Sequence, residues 1–69
     1  MFSCLMFSNL THSEECKVIH TIESNGADFL GIDYVADIVE VKFTSEYPLR
    51  EKIIHDLIKN HNDIYNKMC

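Results

Sequence analysis

Arginine, proline, glycine and tryptophan are scarce in this 69-residue chain, and each shortage removes a class of function. There are two glycines, one proline and no tryptophan, and Arg50 is the lone arginine. With glycine and proline present only as isolated punctuation, there is no flexible linker, no phosphate-cradling glycine loop and no low-complexity tract. The six basic residues are outnumbered by eleven acidic ones, for a net charge of −5, and they form no cluster. Affinity for nucleic-acid backbones comes from clustered Lys and Arg, so nucleic-acid binding is disfavoured. The acids are dispersed and interleaved with lysines, which also disfavours mimicry of nucleic acid. The three cysteines, Cys4, Cys16 and Cys69, form an odd set with no CxxC pair, which fits reduced thiols in the cytoplasm better than a disulfide framework.

What is present is apolar: 46% of residues are hydrophobic and 25% charged, spread along the chain rather than blocked. Such a composition folds rather than staying disordered. At this length one domain over residues 1–69 is expected, with a core only marginally sufficient, so that self-association into a homo-oligomer is expected to help. The opening stretch Met1–Phe7 is apolar but lacks a basic segment, and charge follows too soon for a membrane span. Ile, Lys, Asn, Phe, Tyr and Met dominate over Gly, Ala, Arg and Pro, a bias of AT-rich genomes that fits a phage, another virus or a low-GC bacterium and is an expectation about provenance, not activity.

Periodicity predicts an α+β fold: an antiparallel β-meander of three strands, or four, with one C-terminal amphipathic helix packed on one face. Residues 1–10 are expected to form an apolar strand or cover, 17–43 the meander and 47–67 the helix. Lys17–Ile22 is rich in β-branched residues, and Asn25-Gly26 before Phe29-Leu30-Gly31-Ile32 has the composition of a hairpin turn, which would set Ile22 opposite Phe29 and Ile19 opposite Ile32. Val39, Val41 and Phe43 alternate with Glu40 and Lys42, as in a half-buried strand, and Asp33–Asp37 makes the preceding turn. A competing reading uses Thr11 as an N-cap and Glu14 to close a capping box, with a helix running to a Gly26 cap; Glu15 and Glu23 would interrupt its apolar face. In the C-terminal segment, Leu49, Ile53, Leu57, Ile64 and Met68 form one stripe, widened by Ile54, Ile58 and Tyr65. Ser45 is placed to cap this helix, Pro48 suits its first turn, and Asp63 and Lys67 are spaced for an (i, i+4) pair. One helix covers one sheet face, so a second apolar face is left for something else.

Chemistry-bearing residues are sparse. His12, Cys16 and His20 are spaced four apart and would share a helical face, which makes them an alternative metal set completed by another subunit; a strand at 17–22 removes His12 from it. His61 lies at the margin of the C-terminal stripe and is the one candidate for a titratable site, with Asp33 or Tyr34 as partner. No cysteine can be paired with a base along the sequence, so no catalytic residue is assigned, and no cofactor. Asp28, Asp33, Asp37 and Glu40 match no cation loop and suit turns and a solvated face. The expected function is therefore a non-enzymatic accessory or inhibitor that binds a protein partner through an apolar sheet face or edge in acidic surroundings, with Phe29, Ile32 and Tyr34 as anchors. The alternative is a small ligand- or metal-binding sensor. A small hydrolase would need a pocket holding His61 and a carboxylate.

Overall fold

A computed structural model describes residues 1–69 and has six elements: β1 (Phe2–Phe7), α1 (His12–Ser24), β2 (Asp28–Val35), β3 (Ile38–Thr44), α2 (Arg50–Asn60) and the single turn α3 (Asn62–Tyr65). The class is α+β, with three antiparallel strands in the order β1-β3-β2. No helix is long and apolar enough to cross a membrane.

Residues 17–22, expected as a strand, are helical. Both ends of α1 explain why. At the start, the Glu14 N–H donates to the Thr11 hydroxyl (3.2 Å) while the Thr11 N–H donates to Glu14 Oε1 (2.9 Å), a complete capping box. At the end, the Gly26 N–H donates to the Glu23 carbonyl and the Ala27 N–H to the Ile22 carbonyl, the paired bonds of a Schellman motif. Gly26 sits at φ +87°, a value that costs a Cβ-bearing residue conformational strain. Asn25-Gly26 is thus a helix terminus and not a hairpin turn. The objection from Glu23 vanishes because it faces solvent, while Glu15, though buried, has a partner.

With the first hairpin gone, the expected pairings of Ile22 with Phe29 and Ile19 with Ile32 are replaced by Phe29 opposite Phe43 and Ile32 opposite Val41. The third strand comes from Phe2–Phe7, which pairs with β3 from Phe2 opposite Thr44 to Phe7 opposite Val39. The alternation at Val39, Val41 and Phe43 is as expected: all three are buried, and with Leu5 and Phe7 they form one face. Val18 and Ile22 of α1, Ile53 and Leu57 of α2, and Ile64 of α3 close over that same face in a single core. The helical cover is therefore built from both ends of the sequence, not from a C-terminal helix alone.

The C-terminal stripe behaves as its period requires, but the helix is not continuous. It is interrupted at His61 (φ −143°, ψ 59°), within Asn60-His61-Asn62, three residues of low helix propensity. Leu49 occupies the N-cap without a side-chain bond, and the Ser45 hydroxyl, expected to cap, donates instead to the Tyr47 carbonyl. Lys67 pairs with Glu14 across the fold (2.9 Å) and not with Asp63.

Candidate functional site

The sheet offers a face and an edge. On the uncovered face, Lys42 holds the centre between Asp33 and Glu40, its ammonium paired with the Asp33 carboxylate and 4.0 Å from Glu40 Oε1. Asp33 holds the Lys42 ammonium in its charged form, raising it above its usual range; the Glu40 charge adds to this. Apolar residues on this face are peripheral: Phe2 and Met6 on β1, Val35 at the hairpin end of β2. The partly apolar second face expected from the sequence has a polar centre and an apolar rim.

The two edges differ. Along β1 the outward polar groups are taken up by the chain itself: the Cys69 N–H donates to the Met6 carbonyl (2.9 Å), the Ser8 N–H to the Lys67 carbonyl (2.7 Å), and Arg50 Nε to the Cys4 carbonyl (3.3 Å). Along β2 no other segment adds a backbone bond. The two-residue loop Ala36-Asp37 closes on the pair Val35–Ile38. In that geometry Val35 and Asp33 bond to β3, which leaves the N–H and C=O groups of Ile32 and Tyr34 directed to the free edge. A bulge at Leu30 interrupts the register between Phe29 and Gly31.

Of the expected anchors, Phe29 and Ile32 are half-buried and packed on the core, so their side chains serve the fold first. Tyr34 is 63% exposed, and Leu30 and Val35 accompany it at 54% and 62%. Beside Tyr34 an open groove of about 630 Å³ is lined by Ser8, Asn9, Leu10 and Val39. Asp28, Asp33 and Asp37 flank the strand and its turn, and all three are exposed.

A second cluster lies where α1 meets β2. Glu15 has a side chain only 9% exposed. The Tyr34 hydroxyl donates to its Oε2 at 2.5 Å. Because ionisation would break that bond and set two negative charges together, the Tyr34 phenol is raised above its ordinary value. The other oxygen, Oε1, lies 3.7 Å from His12 Nδ1, and His12 Nε2 lies 3.8 Å from Cys16 Sγ. Helix α1 therefore brings His12 and Cys16 together as the helical spacing predicts, but Cys16 meets His12 and not His20, and no group of three or more His, Cys, Asp or Glu side chains converges to hold a metal ion.

The His61 imidazole does not gain either expected partner, because Asp33 is bonded to Lys42 and Tyr34 to Glu15. The His61 backbone carbonyl accepts from the N–H groups of Ile64 and Tyr65 (both 3.0 Å) and starts α3. Sequence reasoning missed Glu15, Leu30 and Val35. Glu15 was legible as a residue of the apolar stripe only once α1 was taken as a helix, and nothing in the sequence marks Leu30 as a bulge. Compared with known proteins, the chain matches no family model, no curated protein and no solved structure.

Proposed function

We propose that this protein is a non-enzymatic accessory or inhibitor that binds a protein partner by adding an extended, basic segment of that partner to the free edge of β2. Main-chain bonds from Ile32 and Tyr34 supply affinity in this mode, and side-chain pockets supply selectivity. The observation that carries the reading is the asymmetry of the edges: β1 is occupied by the chain's own tail and Arg50, whereas β2 keeps its outward groups unpaired beside exposed Leu30, Tyr34 and Val35. The net charge of −5, with Asp28, Asp33 and Asp37 along this strand and turn, steers a Lys- or Arg-bearing segment toward the edge and repels acidic ones.

The test uses substitutions at exposed positions, because Phe29→Asp or Ile32→Asp would place a charge against the core. A panel of peptides alternating apolar residues with lysine is titrated into the protein while backbone amides are followed by NMR. Binding is expected to shift and protect the Ile32 and Tyr34 amides, and Leu30→Lys combined with Val35→Lys is expected to weaken it at least tenfold with the fold intact. Binding that leaves those two amides unprotected, or that is indifferent to the double substitution, sinks the reading.

A further inference from the structure

The geometry points to a divalent transition-metal half-site formed by His12 Nε2 and Cys16 Sγ, closed by the same pair from a second copy of the chain into a Cys2His2 centre. Residues four apart on a helix lie one above the other on the same face, so both side chains reach a common point. A zinc-class ion bound at about 2.3 Å from sulfur and about 2.0 Å from nitrogen, with tetrahedral angles, sets its two ligand atoms roughly 3.5 to 3.6 Å apart. The observed separation is 3.8 Å, so little side-chain movement is needed to accept the ion.

The surroundings of His12 complete the argument. A ligating imidazole is normally fixed by a hydrogen bond from its other ring nitrogen to a carboxylate, which sets the tautomer and orients the ring. Glu15 Oε1 stands 3.7 Å from His12 Nδ1, and its carboxylate is itself held by the Tyr34 hydroxyl. A small turn of the ring closes that distance to a hydrogen bond and leaves the Nε2 lone pair directed toward Cys16. This places a buried, positioned carboxylate behind an exposed ligand pair: the His12 side chain is 92% exposed and Glu15 9%. On binding, the Cys16 S–H bond breaks, a sulfur–metal bond forms and the proton passes to solvent; the oxidation state of the metal does not change.

One chain supplies two ligands and no third converges on them, while closed structural sites of this ion take four. A twofold-related copy brings an identical pair, and the exposure of His12 and Cys16 leaves room for it. Neither ligand lies on β2, although Tyr34, which holds Glu15, also belongs to the docking edge.

The test is titration of the reduced full-length protein with cobalt(II) as the probe, read by the thiolate-to-cobalt charge-transfer absorption and by light scattering. Expected are a saturation point at about half an equivalent per chain and a doubling of mass, consistent with a four-ligand site shared by two chains. Cys16→Ser abolishes the absorption, His12→Ala weakens binding about 100-fold, and Glu15→Gln weakens it about 10- to 100-fold while circular dichroism shows the fold retained. His20→Ala and the Cys4→Ser/Cys69→Ser double variant bind as the parent does. The inference is overturned by absence of the charge-transfer band, by a band that persists in Cys16→Ser, or by saturation at one equivalent with a monomeric mass.

Discussion

At the β1 edge of the sheet the chain supplies its own cover, whereas at the β2 edge it relies on a bulge and on acidic side chains. Unpaired edges invite indiscriminate association, and proteins blunt them by covering, charging or bending them. Here the covered edge is tied to the tail and to α2, while the bent edge stays accessible over Ile32–Val35. The contrast separates a covered edge from an open one, which under the proposed reading serves recognition: a bulge disfavours long, flat pairing but leaves a short run of outward groups.

The largest expected effect tests the structural side. Ile64 is 1% exposed and anchors the C-terminal turn in the core. Ile64→Ala is expected to cost about 3 kcal/mol in urea unfolding, through lost burial and a residual cavity. For a domain of this size that is a large part of a total stability of roughly 3 to 10 kcal/mol. Ile32→Ala, at a half-buried edge position, is expected to cost about half as much. Equal costs would mean that the two sides of the sheet contribute alike, and the contrast would collapse.

Removing residues 67–69 attacks the cover itself. The two backbone hydrogen bonds to β1 and Ser8, each contributing about 0.5 to 1.5 kcal/mol, disappear together with the turn bonds from Lys67 and Met68 N–H, the Lys67–Glu14 ion pair and the half-buried Met68, for an expected loss of about 3 to 4 kcal/mol. The same truncation exposes the outward groups of Met6 and Ser8. Amide exchange at Ser8 is expected to accelerate, and the protein to self-associate through β1 as concentration rises. An unchanged Ser8 amide would show that the tail bonds add no protection.

The β2 side can be sharpened by a gain. Ala36, in the hairpin loop, sits at φ +54°, a left-handed value that strains a residue with a Cβ. Ala36→Gly relieves that strain against the added flexibility of the unfolded chain, and is expected to stabilise by about 0.5 to 1 kcal/mol. A neutral or negative result in thermal unfolding would show that the loop is not strained.

How much of this was legible depended on whether a local signal had one structural meaning or two. The C-terminal stripe of Ile53, Leu57 and Ile64 has only the helical period, so helix there is legible, but one continuous helix over 47–67 is not what forms: it begins at Arg50 and breaks at His61, which depends on weak propensities that sequence alone does not resolve. Val39, Val41 and Phe43 likewise alternate in a way that only a half-buried strand satisfies. Asn25-Gly26, by contrast, serves a hairpin turn and a Schellman terminus equally well, because both need a positive φ at glycine. The β-branched run Val18-Ile19-His20-Thr21-Ile22 favours a strand by propensity, whereas the capping pair Thr11 and Glu14 is the stronger indicator and favours the helix. A strand at 17–22 would move the whole hairpin, and with it the candidate site: the pairing of Glu15 with Tyr34 and the approach of His12 to Cys16 exist only when α1 is a helix packed beside β2. Strand order and the β2 bulge depend on contacts far apart in sequence and carry no local mark.

The smallest expected effect concerns Glu14, which joins α1 to the tail that covers β1. Its Oε1 accepts from the Thr11 N–H and from Lys67 Nζ. The backbone bond first and the Lys67 ammonium second hold the carboxyl below its ordinary value of 4.5. Because the folded value lies below the unfolded one, the unfolded chain takes up the proton first on acidification. The stabilisation is therefore fully present above about pH 4.5 and is lost as pH falls through the lower folded value. Glu14→Gln keeps a capping-box acceptor but removes the charge; it is expected to cost about 0.5 kcal/mol at neutral pH and to flatten the acid limb of the stability curve. Glu14→Ala also removes the acceptor and is expected to cost about 1 kcal/mol. If Lys67→Met reproduces the loss in Glu14→Gln and the two changes are not additive, the charge contact is what couples α1 to the covered edge; additive losses would assign the effect to the helix cap alone.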